Sequence, residues 1–104
     1  MILEELSDNN FNTTVLQSTG IVIVVFGATW CAPCKVLEPL VNKLSDEAGC
    51  AAFKVDIDEC ENVVKSFKIK SAPTTLIFKN GAFITSRTGS MTYAELKNMH
   101  DAIK

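Results

Sequence analysis

The chain predicts an α/β fold, a three-layer sandwich built on a mixed sheet, from three observations. The run Ile21-Val22-Ile23-Val24-Val25-Phe26 is β-branched almost throughout, with no polar residue on either parity, so both of its faces need a covering layer. Strand and helix patterns alternate through the earlier part of the sequence, and that alternation gives parallel crossovers. The last part instead carries two short strands around Asn80-Gly81 and then an amphipathic helix; so tight a turn makes its two strands antiparallel.

In chain order, Ile2 to Leu6 predicts a short strand. Ser7 or Asp8 then caps a helix with Phe11, Val15 and Leu16 on its apolar side, ended by Gly20. The Ile21–Phe26 run is the central strand. From Cys31 to about Glu47, Val36, Leu37, Leu40, Val41 and Leu44 recur at helical spacing, with a kink expected at Pro39 and a stop at Gly49. Ala51 to Ile57 is a second buried strand, and Asp58 caps a short helix carrying Val63, Val64 and Phe67. Thr74 to Phe78 and Ala82 to Thr88 flank the Asn-Gly turn. Thr92 opens the last helix with Glu95 three residues on, a capping box, and Leu96, Met99 and Ile103 are its stripe.

One domain, residues 1–104, is expected, because a second core needs roughly another 100 residues. With 47% hydrophobic and 21% charged residues the chain can fill a core, which excludes disorder as its main state. Ten Lys and Arg against twelve Asp and Glu give a net charge of -2 without a basic stripe, so nucleic acid is not an expected partner. No apolar run approaches the roughly 20 residues of a membrane span. Glu4 and Glu5 stand where a secretory leader would be basic. A cytoplasmic monomer is expected, with no membrane partner, no cofactor and no metal.

Trp30-Cys31-Ala32-Pro33-Cys34-Lys35 joins the central strand to the long helix, at the sheet edge where open α/β folds build their sites. With Cys31 at the N-cap, Cys34 falls at N3, and an N-cap side chain accepts a hydrogen bond from the N3 backbone N–H. That bond, the helix dipole and the charge of Lys35 all favour the Cys31 thiolate, which makes Cys31 the nucleophile. Cys34, one turn later and turned further inward, stays a thiol until it attacks Cys31 and resolves a mixed disulfide. Pro33 sits in the first turn, where its missing N–H is not needed. A zinc half-site and a structural pair of cysteines compete with this reading. The first lacks a second pair roughly 15 to 20 residues on, since Cys50 and Cys60 are too far apart to form one. The second explains neither the helix-start position nor the flanking Trp30.

WCAPCK, Ser71-Ala72-Pro73-Thr74, the FKNG turn at Phe78 to Gly81 and Gly89 before the last helix together resemble the thioredoxin family over essentially the whole chain. The resemblance implies the thioredoxin fold: five strands in a mixed sheet, four helices, and Pro73 as a cis proline facing the cysteines. Trp30, Ala72, Pro73 and Gly89 would then hold an extended substrate peptide. It further implies a dithiol–disulfide oxidoreductase, a protein-disulfide reductase that carries electrons from a thioredoxin reductase to protein disulfides. An oxidase or isomerase on the same fold, and a redox-inactive binding module for a partner enzyme, are the rival functions.

Three positions depart from the family pattern. Ala32 replaces the usual Gly, for which a small shift in redox potential is expected. Val25, six residues before Cys31, stands where the family commonly has a buried Asp, so slower deprotonation of Cys34 is expected. Lys54 matches the lysine that partners that Asp and is left to act by its charge alone. Gly27 replaces a second Trp, leaving the site less covered. Cys50 is expected as a small buried hydrophobe and Cys60 as a thiol near a helix start with little thiolate character. His100 is expected to be solvated on the polar side of the last helix. The acidic run Asp56 to Glu61 is expected to serve capping and solubility.

Overall fold

Ile21–Gly27 forms the centre of a five-stranded sheet, and every residue from Val22 to Gly27 is buried, as its unbroken apolar character requires. The computed structural model describes residues 3–104. Its strands are β1 (Glu4–Leu6), β2 (Ile21–Gly27), β3 (Ala51–Asp56), β4 (Thr74–Lys79) and β5 (Ala82–Thr88), in the spatial order β1-β3-β2-β4-β5. β1 and β2 run parallel to β3, while β4 is antiparallel to both β2 and β5. Four helices complete the mixed α/β architecture: α1, a single π-helical turn (Asn12–Leu16), α2 (Ala32–Ala48), α3 (Glu61–Ser66) and α4 (Tyr93–Asp101).

Alternation along β2 divides the interior into two layers. Val22, Val24 and Phe26 pack with Phe11, Val15 and Val63 of the α1 and α3 side. Here the rings of Phe11, Phe26, Phe67 and Phe78 meet in tilted and edge-to-face pairs, from 5.5 to 6.5 Å between centroids. Ile23 and Val25 face the other way, against Leu37 and Val41 of α2 and Leu96 of α4. At the hairpin, Asn80 (φ 52°) and Gly81 (φ 81°) both take the left-handed region, which a type I′ turn demands. Gly81 is further fixed by space, since a Cβ there would come within 3.1 Å of the Leu16 carbonyl carbon and closer still to its oxygen. α4 opens with the expected capping box, Thr92 Oγ1 accepting from Glu95 N at 3.1 Å and Glu95 Oε1 from Thr92 N at 2.9 Å.

Several local expectations are corrected. Neither Ser7 nor Asp8 caps α1, which begins after Phe11 without a side-chain cap, and Leu16 is exposed at its end. Asp8 instead reaches across the chain and accepts from Asn62 N at 3.2 Å and Val63 N at 3.0 Å, so it caps α3, the role expected of Asp58. The described part of β1 starts at Glu4, and Ile2 lies outside the described residues. β3 stops at Asp56 rather than Ile57 and is mostly half-exposed, with Val55 alone buried. Among the described residues its neighbour β1 pairs with Phe53 to Val55 alone. Pro39 lies inside α2, where the kink was expected, and does not end the helix. His100 is buried rather than solvated, its Nδ1 2.9 Å from Asp101 Oδ1. It lies four residues after Leu96 and so shares that residue's inward face.

Candidate active site

The site forms where β2 ends and α2 begins. Cys31 is the N-cap residue of α2, with extended backbone (φ -94°, ψ 104°), and its Sγ accepts the backbone N–H of Cys34 at 3.2 Å. Cys31 N–H in turn donates to the Ala28 carbonyl at 3.2 Å, which closes the loop between strand and helix. The two cysteines, with Cα atoms 5.4 Å apart, are joined as a disulfide. The attacking sulfur is less open than the sequence suggested. Cys31 is 3% exposed and Cys34 0%, both packed with Ala28 and against Ile57 and Ala72. Ala32, Pro33 and Lys35 are exposed on the first turn.

Trp30 is 67% exposed beside the disulfide, and its indole N–H donates to Asp58 Oδ2 at 2.8 Å. Asp58 N–H donates to Asp56 Oδ1 at 2.9 Å, so part of the acidic run positions an aromatic plate rather than a helix start. The Ala72–Pro73 peptide bond is cis, Pro73 is buried, and its carbonyl accepts Gly89 N–H at 2.8 Å. Trp30, Ala72, Pro73 and Gly89 are thus tied into the loops around the disulfide by its apolar contacts or by short hydrogen bonds.

Val25 is fully buried in the β2 ladder, with Lys54 and Thr75 as its register partners on β3 and β4. Lys54 has a counter-ion that the sequence reading missed: its Nζ lies 3.7 Å from Glu38 Oε1. Glu38 follows Cys34 by four residues, so the i,i+4 rule could have placed it on the same helix face. A cleft of about 350 Å³ lined by Gly27, Lys35, Glu38 and Lys54 opens there. No group of three or more His, Cys, Asp or Glu that could hold a metal occurs among the described residues.

The remaining cysteines are chemically quieter. Cys60 is the buried N-cap residue of α3, its Sγ donating to the Leu6 carbonyl at 3.5 Å. Burial, and then the carboxylate of Asp8, push its thiol above the usual range. Cys50 is only half-buried, and desolvation raises its thiol as well.

A Cys-X-X-Cys dithiol at a helix N-terminus at the edge of an α/β sheet, with Ala72 of a cis Ala–Pro bond packed against it, defines a thiol–disulfide oxidoreductase. Residues 2–102 match the family model described as Thioredoxin. The chain is 36% identical over 99 residues to the thioredoxin of Buchnera aphidicola subsp. Acyrthosiphon pisum (strain APS), covering 93% of this chain and 92% of that protein. It is 35% identical over 99 residues, with the same two shares, to the thioredoxin of Acidithiobacillus ferridurans. To the chloroplastic thioredoxin X of Arabidopsis thaliana it is 35% identical over 105 residues, 97% of this chain and 58% of that one. The chain belongs to the thioredoxin family, and it is a dithiol–disulfide oxidoreductase that works through Cys31 and Cys34.

Proposed function

We propose that residues 1–104 act as a single-domain cytoplasmic protein-disulfide reductase, drawing electrons from a thioredoxin reductase and passing them to protein disulfides. The observation that carries the assignment of roles is the 3.2 Å hydrogen bond from Cys34 N–H to Cys31 Sγ at the start of α2. The bond and the helix dipole stabilise a thiolate at Cys31 and offer nothing comparable to Cys34. The Cys31 thiolate attacks one sulfur of a substrate disulfide. A Cys31–substrate S–S bond forms, the substrate S–S bond breaks, and the other substrate sulfur leaves as a thiolate and takes up a proton. Cys34, deprotonated, then attacks Cys31 Sγ, which reforms the Cys31–Cys34 disulfide and releases the second substrate sulfur with its electron pair. Trp30, Ala72, Pro73 and Gly89 line the surface against which an extended substrate segment lies. Ala32 and Pro33 shape the first turn, Lys35 adds positive charge beside it, and Lys54 and Val25 set the polarity behind Cys34. No helix among the described residues is long and apolar enough to cross a membrane, which is compatible with that compartment.

The test is reduction of a disulfide-bonded protein by the pre-reduced chain. Cys31→Ser abolishes reduction and forms no adduct, whereas Cys34→Ser accumulates a Cys31 mixed disulfide seen by mass. Accumulation at Cys34 in Cys31→Ser would reverse the roles. A reduction potential more oxidising than the glutathione couple would turn the assignment towards an oxidase.

A further inference from the structure

We propose that Glu38 is the proton acceptor for Cys34 in the resolving step, reached through a water that bridges the two side chains beside Gly27. The inference rests on the roles given to Cys31 and Cys34 above and extends them to a residue outside the Cys-Ala-Pro-Cys motif.

Cys34 must lose a proton before it can attack, yet its sulfur is fully buried in an apolar setting, where a thiol holds its proton. Val25, behind it in β2, has no acceptor atom. The nearest polar atom on the Gly27 side is a carboxylate oxygen. A Cβ built on Gly27 would lie 3.1 Å from Cys34 Sγ and 3.4 Å from Glu38 Oε2, so the sulfur and the oxygen border one and the same point. Cys34 Sγ and Glu38 Oε2 are therefore no more than about 6.5 Å apart, a span that one water bridges, and general-base catalysis works through one such solvent molecule. Gly27 and Glu38 both line the cleft that also holds Lys35 and Lys54.

The two oxygens of Glu38 are used differently. Lys54 Nζ lies 3.7 Å from Oε1, while Oε2 is the one directed at the Gly27 gap. Lys54 thereby orients the carboxylate. Glu5 on β1, Lys35 on α2 and Asp56 on β3 are the other charged groups on this cleft. Glu5 is the cross-strand neighbour of Lys54, and Asp56 Oδ1 already accepts Asp58 N–H, so neither competes for the sulfur. In the step itself the Cys34 S–H proton passes to the water as that water gives one to Glu38. The Cys34–Cys31 S–S bond forms and the bond from Cys31 to the substrate sulfur breaks. The departing sulfur keeps the electron pair, and the proton held on Glu38 returns to it or to solvent.

The experiment uses the full chain, reduced, and a symmetric aromatic disulfide whose halves are coloured as thiolates. Attack by Cys31 releases the first half and resolution by Cys34 the second, so the two steps are read separately in stopped flow. Glu38→Gln should slow the second release at least about tenfold near neutral pH relative to the first, with the deficit closing as pH rises through the thiol range. Glu38→Asp, which keeps the carboxylate but withdraws it by one methylene, should fall between. A second phase unchanged in Glu38→Gln at every pH, or slowing of both phases alike, would overturn the proposal. Loss of the first release in the unmodified chain would instead overturn the roles of the cysteines.

Discussion

Thr75 Oγ1 is the one buried side-chain polar atom without a hydrogen-bond partner among the described residues, and it lies across the β2–β4 ladder from Val25. A hydroxyl in that position costs its desolvation without a compensating bond. Thr75→Val therefore stabilises the oxidised protein by about 1 kcal/mol, read as a higher urea midpoint at an unchanged slope. The same pair has a functional side. In Val25→Asp the new carboxylate would have the Thr75 hydroxyl on one flank and Lys54 on the other, the only polar partners the ladder offers it. Stability at neutral pH falls by about 3 kcal/mol, because a charge replaces a well-packed methyl pair. The second thiolate release in the aromatic-disulfide assay should nevertheless become faster at pH 7; no gain there would show that Cys34 deprotonation does not limit resolution. Val25 was legible from its position in a motif. Glu38 was legible only as a residue on the Cys34 face of α2; that Gly27 brings the sulfur and the carboxylate together is visible only in three dimensions.

At the scale of elements, the long periodic segments were legible and the junctions were not. β2, α2 and α4 follow from apolar patterns that a strand or helix must bury, and the Asn80-Gly81 turn follows from backbone chemistry. α3 shows the limit, since the residue that caps it, Asp8, is more than fifty positions away and no local pattern could nominate it. Asp8→Ala should lower stability by about 1 kcal/mol by urea titration, while Asp58→Ala, which loses only the exposed Trp30 contact, leaves the midpoint nearly unmoved. Equal losses would mean that the Asp8 contacts do not cap. The start of α4 carries a pH dependence of definite sign. Glu95 is held down to about 2 from its usual 4.5, first by the Thr92 backbone N–H and then by Arg87, whose Nη2 lies 2.8 Å away. A carboxylate depressed by folding adds stability above its unfolded value and loses it as pH falls from 4.5 towards 2. Glu95→Gln should flatten the stability–pH curve within that window and leave its slope above pH 6 unaltered.

Over the whole molecule, four cysteines sit in one fold with four different relations to solvent and charge, and their environments rank them. Cys31 takes a backbone N–H at the α2 N-terminus, while Cys34 lies beneath it with no exposure. Cys50 is half-covered at the opposite end of α2, its thiol raised by desolvation. Cys60 is also an N-cap residue, yet it is closed in by the apolar layer of Phe11 and Val63 and faces the carboxylates of Asp8 and Asp56. Comparing the two N-cap sulfurs isolates what makes one reactive, since both sit at helix starts and differ in backbone donors, neighbouring charge and access. The count of four and the two helix starts could be read from the sequence. The outline of the ranking could be read too, with Cys31 first and Cys60 weak, but the part played by Asp8 at Cys60 could not, because it comes from a distant segment. Reduced protein treated with limiting iodoacetamide at pH 7 should label Cys31 first, at least about tenfold ahead of Cys50. Cys60 should be labelled only at the rate of opening of the layer around it. Peptide mass mapping against time reads the order directly. In urea above the unfolding midpoint the four rates should converge, because an unfolded chain gives every thiol the same solvent and no fixed neighbours. A fast label on Cys60 in the native protein would show that the α1–α3 layer opens more readily than its packing implies, and would give the chain a second reactive sulfur outside the motif.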